Sequence, residues 1–138
     1  MTPENRHFNV GLEVKRAEDR FLQAEVLLER GMLEGAVSAA YYGAFHYARA
    51  LLLMEGLESK THGGVHHLIN VHFVLPGRIA PEQAKSLRDL QRDREEAEYD
   101  AASVFNRPMA EEALRQARAF ADTARTLLRD GGALEEPR

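Results

Sequence analysis

Histidines are the first residues in this sequence that could support chemistry, because four of the six fall between positions 62 and 72. His62 and His66 are four residues apart, so a helix would carry both imidazoles on one face, a spacing that can hold zinc. The sequence across them is HGGVH, which lacks the glutamate of the HExxH zinc motif, and the chain has no cysteine. We therefore predict that the protein has no metal site and needs no cofactor.

A different chemistry is open to His62, which follows Lys60 and Thr61 where we expect a helix to begin. The free backbone N–H groups at a helix start attract anions. Lys60 and His62 are therefore candidate contacts for the phosphate of a nucleotide or an RNA. The alternative is that His62 and His66 form the polar face of a short surface helix.

Arg94 is the most informative charged residue, because it falls on an apolar helical seam. It follows Leu87 by seven residues and Leu90 by four, which places it roughly 20–40° from each around a helix. A guanidinium there cannot lose its charge and must find acceptors, either a structural carboxylate or a bound phosphate. Tyr99 follows about 140° further around the helix, so the two side chains converge only if the helix ends or unwinds between them.

Arg49 is the only formally charged residue of the stretch 36–54. It shares a helical face with Tyr42 and Phe45, which favours a structural interpretation. In that interpretation the guanidinium stacks on an aromatic ring and pairs with a carboxylate of segment 92–100. The functional interpretation is that Arg49 provides a second phosphate contact.

Helical periodicity organises these residues into five predicted helices. Apolar residues repeat at spacings of three and four, and no stretch shows the two-residue alternation of a strand. Glycine and proline mark the breaks. The predicted helices run over about 11–30, 33–55 and 63–74, then from Pro81 to the break at 106–108, and finally from Pro108 to Gly131. This pattern predicts an all-α fold, an antiparallel up-and-down four-helix bundle with one additional short helix.

The same pattern predicts the domain organisation. We expect a single domain over 1–130 and a flexible tail at 131–138. The helix at 33–55 is apolar nearly all round, which is typical of a central helix or of one shared with a partner. Because a small bundle cannot easily bury so many apolar faces, we predict a homodimer.

Composition excludes several classes of protein. The 138 residues include no cysteine, which rules out a disulfide scaffold and a thiol nucleophile. No apolar run approaches the roughly 18 residues of a membrane span, and the polar start MTPENRHF argues against a signal peptide. We therefore expect a cytoplasmic protein without membrane contact. A net charge of −4 argues against a wholly basic surface, but 15 arginines against three lysines favour local phosphate recognition.

Two segments taken together resemble the HEPN family of helical proteins. The first is AVSAAYYGAFHYARALLLMEGLESKTHGGVHHLINVHFV at 36–74, and the second is LRDLQRDREEAEYD at 87–100. They resemble the small prokaryotic HEPN proteins that have an AxxAYYAxF-like second helix, a KTH turn and an RxxADYD-like segment. The resemblance extends from the first helix to about Leu128.

The resemblance implies a helical bundle that forms homodimers and is often encoded beside a minimal nucleotidyltransferase, as toxin and antitoxin. Active members are metal-independent ribonucleases that use an Arg followed, after four to six residues, by a His. The two subunits bring these motifs together at the dimer interface. The matching arginine is Arg94, but the positions for the histidine hold Tyr99, Asp100 and Ala101. A tyrosine with a pKa near its reference value of about 10 is a poor base.

Three functions are consistent with these residues. The first is an HEPN module that binds nucleotide or RNA phosphate through Arg94, assisted by Lys60, His62 or Arg49, and acts with a nucleotidyltransferase partner. The second is an active metal-independent ribonuclease in which Tyr99 or His62 replaces the missing histidine. The third is a purely structural interaction module. Whether the protein is an enzyme stays open at this stage.

Overall fold

The computed structural model describes residues 2–99 and 105–135. Five α-helices follow one another along these ranges: α1 (Pro3–Glu29), α2 (Leu33–Met54), α3 (His62–Ile69), α4 (Pro81–Tyr99) and α5 (Arg107–Asp130), with a π-helical turn over Asn70–Val74 directly after α3. No strand occurs in the described part of the chain, so the predicted all-α fold class is confirmed. None of the described helices is long and apolar enough to cross a membrane.

The predicted start of the first helix near residue 11 was wrong. The helix begins at Pro3, because the Thr2 hydroxyl accepts a hydrogen bond from the backbone N–H of Asn5 (3.1 Å) and a proline suits the first helical position. The residues of this first stretch, 3–9, are mostly exposed and carry no apolar repeat. Periodicity alone therefore could not detect them.

The central helix α2 packs against α1, α4 and α5. Between Ala36 and Leu53 it exposes one narrow face and buries everything else. The partly exposed residues are Ser38, Tyr42, His46 and Arg49, which we call the polar strip of α2. Because the apolar faces of α2 are covered within one chain, they give no reason to expect a partner. The prediction of a homodimer therefore rests on the family resemblance alone.

The helices α1 and α2 approach each other most closely at Gly43. A Cβ atom at this position would lie 2.9 Å from the ring of Phe21, which is fully buried. Only a residue without a side chain fits against that ring. Gly43 therefore allows the close packing of α1 against α2.

The chain turns back to the core after α5. The backbone N–H groups of Ala133 and Leu134 donate to the carbonyl of Leu128, at 2.8 and 3.2 Å, and Ala133 is buried. Packing therefore continues beyond the end of α5 into the first residues of the predicted tail. Residues 136–138 of that tail lie outside the described residues, as do Asp100 and Ala101.

Candidate functional site

Arg94 lies on the buried seam of α4, as its spacing from Leu87 and Leu90 predicts, and only 8% of it is exposed. Its Nη1 donates to the Tyr42 hydroxyl (3.3 Å) and to Oε2 of Glu98 (3.1 Å). Its Nε is buried and has no hydrogen-bond partner among the described residues. The guanidinium is thus held in place by two neighbours and keeps unused donor capacity.

Two tyrosines of α2 surround this guanidinium. Its central carbon lies 5.6 Å from the centre of the Tyr41 ring and 5.5 Å from that of Tyr42, within the range of cation–π attraction. The two rings meet edge to face, with centroids 5.4 Å apart. Burial disfavours the charged form of Arg94, but the neighbouring Tyr42 and Glu98 outweigh it and raise the pKa of Arg94 above its usual value. Arg94 is therefore a permanent cation at this site.

His62 is the first residue of α3, where the sequence predicted a helix start. The Thr61 hydroxyl caps the helix by accepting from the backbone N–H of Gly64 (2.9 Å). The His62 ring stacks on Phe45, with centroids 4.3 Å apart and planes 14° from parallel. Its Nδ1 lies 2.6 Å from the Tyr41 hydroxyl. Both aromatic contacts come from α2, and they fix the orientation of the imidazole.

The protonation states of Tyr41 and His62 follow from this environment. Burial raises the pKa of Tyr41 well above its usual value, so the phenol keeps its proton. Burial also lowers the pKa of His62, and the positive charge of Arg94 lowers it further, against the opposing effect of Glu95. The Tyr41 hydroxyl is fully buried, and Nδ1 of His62 is its only hydrogen-bond partner in the described part of the chain, so we assign the hydroxyl as the donor. The proton of the neutral imidazole then sits on Nε2.

The ion-pair partner of Arg49 differs from the one that the sequence predicted. Its Nε lies 3.5 Å from Oε1 of Glu13 on α1, and it forms no ion pair with residues 92–99, the described part of the segment with which a pairing was expected. Glu13 is buried and also accepts a hydrogen bond from Nδ1 of His46 (2.7 Å). Burial works against the charged carboxylate, yet His46 and Arg49 lower the pKa of Glu13 below its usual value. Sequence spacing could not identify this partner, because α1 and α2 meet only in the folded chain.

The remaining predicted residues lie at the edge of this group. Tyr99 is 77% exposed, and α4 runs unbroken from Arg94 to Tyr99. The two residues nevertheless line one open depression of about 540 Å³, together with Glu95 and Glu96. Lys60 is exposed and precedes His62 by two positions. The structure thus joins Arg94 and His62 through Tyr41 and leaves Tyr99 and Lys60 exposed beside them.

One ring nitrogen of each of His62 and His66 is engaged by a neighbouring side chain. His62 Nδ1 is occupied by the Tyr41 hydroxyl, and His66 Nε2 donates to Oε1 of Gln91 (2.5 Å). Over residues 2–99 and 105–135, no group of three or more His, Asp or Glu side chains could hold a metal ion. What the site offers instead is a fixed cation, a neutral imidazole donor and aromatic surfaces, a combination suited to binding a phosphate and a planar base.

These features define a class of protein, an all-α chain in which a buried arginine of the fourth helix faces two tyrosines of a central helix. The sequence profile of the HEPN domain matches residues 12–127. The chain therefore belongs to the HEPN family, as the resemblance of its two segments predicted.

Individual relatives agree with this assignment. A UPF0332 protein of Pyrococcus horikoshii is 40% identical over 80 residues, covering 58% of this chain and only 56% of that protein. A UPF0332 protein of Gloeobacter violaceus is 34% identical over 75% of this chain and 78% of its own length. A protein of Methanocaldococcus jannaschii, named as a candidate toxin, is 31% identical over 85% of this chain and 87% of its own length.

Proposed function

We propose that this HEPN protein is a cytoplasmic nucleotide- or RNA-binding component of a toxin–antitoxin-like pair, and that Arg94 is the group that binds phosphate. The observation that carries the proposal is the state of Arg94. It is buried, permanently charged and fixed by Tyr42 and Glu98, and its Nε has no hydrogen-bond partner in the described part of the chain. Buried donors are usually paired, but the buried Nε atoms of Arg6 and Arg129 also lack a partner there, so what distinguishes Arg94 is its fixed charge beside the rings of Tyr41 and Tyr42.

The position of the proton on His62 favours a role in phosphate binding over a role as a catalytic base. In the tautomer that Tyr41 imposes, Nε2 carries the proton and donates, so it can hold a phosphate oxygen but cannot accept a proton there. Lys60 precedes His62 by two positions, and the positive charge of Arg49 already acts on the imidazole, so both residues would add to the attraction for an anion. A phosphate between Arg94 and His62 would then receive charge-assisted hydrogen bonds.

The proposal includes two protein partners, an antitoxin and a second copy of this chain. The relative named as a candidate toxin supports a toxin–antitoxin context, with a minimal nucleotidyltransferase as the antitoxin and a homodimer as the HEPN component. We would purify the chain together with the product of its neighbouring gene and measure the binding of AMP and of a short oligoribonucleotide. Complex formation with saturable binding supports the proposal. A chain that binds neither ligand, alone or in the complex, would leave only a structural interaction module.

A second candidate function is a metal-independent ribonuclease that uses Arg94 with His62. The observation in its favour is that both residues contact the same side chain, Tyr41. Its mechanism requires the imidazole to change tautomer, with Nδ1 donating to the Tyr41 oxygen and Nε2 free to accept a proton. RNA cleavage in EDTA that is lost in both Arg94→Ala and His62→Asn, but kept in Tyr99→Phe, would establish this activity. Loss in Tyr99→Phe as well would instead implicate Tyr99.

A further inference from the structure

The ring of Tyr42 is close to two guanidinium groups. The central carbon of Arg94 of α4 lies 5.5 Å from the ring centre, and that of Arg20 of α1 lies 5.1 Å from it. The two cations differ in their surroundings. Arg94 is buried beside Glu98 and Glu95, at 3.1 and 3.8 Å, whereas Arg20 is exposed and, among the described residues, donates only to the amide oxygen of Gln23 (3.3 Å).

Arg16 precedes Arg20 by one helical turn, about 6 Å along α1. It is exposed, and it lines a cavity of about 220 Å³ with Arg49 and the carboxylates of Glu13 and Glu58, among other residues; its charge acts on Glu13 without forming a close ion pair. Within residues 2–99 and 105–135 neither Arg16 nor Arg20 has an acidic side chain at ion-pair distance. Two neighbouring arginines on one helix face therefore remain available to an anion.

The position of these arginines relates them to the candidate site. Arg20 contacts Tyr42 and Arg16 lines a cavity with Arg49, and both Tyr42 and Arg49 belong to the polar strip of α2. That strip is the only face of α2 left uncovered between Ala36 and Leu53. Cations from α1 and from α4 thus border the same surface.

We propose that Arg16 and Arg20 form a second phosphate subsite, which binds backbone phosphates next to the one held by Arg94. The inference rests on the proposed function, and it adds that the ligand is a polynucleotide strand rather than a single nucleotide. The strand lies along the polar strip of α2, with Tyr42 between the first phosphate and the second. A single nucleotide reaches Arg94 only, so its affinity does not depend on α1.

The test compares binding of AMP with binding of a single-stranded oligoribonucleotide of about 12 residues, by calorimetry or fluorescence anisotropy. The double variant Arg16→Gln with Arg20→Gln is expected to bind the oligonucleotide about tenfold more weakly and AMP as the wild type does. The slope of its salt dependence should become shallower by about 0.7 for each phosphate that the variant no longer neutralises. Arg20→Lys should recover part of the affinity. Arg30→Gln removes an exposed arginine just beyond the end of α1 and should change nothing.

Separate outcomes address the two proposals. An unchanged oligonucleotide affinity in the double variant, with weaker binding by Arg94→Lys, overturns the second subsite and leaves the proposed function intact. A wild-type chain that binds neither ligand overturns both. A double variant that loses only its association with a protein partner also overturns the subsite, because α1 then recognises protein. Equal weakening of AMP and oligonucleotide binding would overturn it as well, since Arg20 would then act through Tyr42 and Arg94.

Discussion

The hydroxyl of Tyr41 donates a hydrogen bond to Nδ1 of His62 across 2.6 Å, and it thereby determines which nitrogen of the imidazole carries the proton. The phenol is completely buried in the core and the imidazole is partly exposed at the start of α3. A core residue of α2 thus controls the chemistry of a surface residue from another helix. Because Arg94 also contacts the Tyr41 ring, the three residues form one unit.

Tyr41→Phe should destabilise the protein by about 1–2 kcal/mol, because Nδ1 of His62 loses its donor while the ring packing is kept. Urea denaturation of the variant and the wild type measures this difference. Tyr99→Phe is the control, since its side chain is largely exposed and its change should stay within about 0.5 kcal/mol. Equal stability of Tyr41→Phe and the wild type would show that the short hydrogen bond contributes nothing.

Stability should fall as the pH is lowered below about 6.5. Burial lowers the pKa values of both His62 and His66, so in this range the unfolded chain binds protons that the folded chain does not. The full stabilisation is present above the unfolded pKa and is lost as the pH falls toward the lowered native values. Glu13 and Asp89 have lowered pKa values too, but carboxylates affect stability only at more acidic pH.

Denaturation at about pH 7.5 and about pH 5.5 measures this effect. His66→Gln should reduce the difference between the two pH values, and His67→Gln, at an exposed neighbouring position, should not. A free energy of unfolding that is constant or higher at the lower pH would contradict the assignment of neutral, partly buried imidazoles.

Gly43→Ala should destabilise the protein by about 1–2 kcal/mol, because overpacking against the buried Phe21 ring exceeds the gain in helix propensity. Gly11→Ala provides the opposite case. A Cβ at Gly11 meets nothing within 4 Å, so this variant should be more stable by about 0.5–1 kcal/mol. Thermal denaturation of the two variants measures whether Gly43→Ala lowers the stability and Gly11→Ala raises it. Stabilisation by both substitutions would mean that α1 and α2 separate easily.

The sequence predicted those features of the site that depend on one helix at a time. The spacing of Arg94 from Leu87 and Leu90 indicated its burial, and Thr61 marked the start of α3 next to His62. Periodicity carries this information because a helix repeats every 3.6 residues.

Contacts between helices could not be predicted in the same way. Tyr42 is 52 positions from Arg94, and Glu13 is 33 positions from His46. A pairing of Arg49 with the acidic segment of α4 was expected from its charge, but the packing of α2 against α1 gives Arg49 the nearer carboxylate of Glu13. The one available signal was the four-residue repeat of Ser38, Tyr42 and His46, which marks a polar face on an apolar helix.

Light scattering should give a particle of twice the 15.5 kDa chain mass at micromolar concentration. This expectation rests on the HEPN family resemblance, in which the sites of two subunits meet. Since the apolar faces of α2 are covered within one chain, they do not form the surface between the subunits. A particle of 15.5 kDa at that concentration would contradict the homodimer.

The most direct test of phosphate binding by Arg94 is the affinity of Arg94→Lys for a short oligoribonucleotide, measured beside its melting temperature. Lysine keeps the charge but loses the planar fork of donors. We predict binding weaker by about 1–3 kcal/mol with a nearly unchanged melting temperature, while Arg92→Lys, on the exposed face of α4, binds normally. Normal binding by Arg94→Lys with a much lower melting temperature would contradict this claim, because Arg94 would then serve only the ion pair with Glu98.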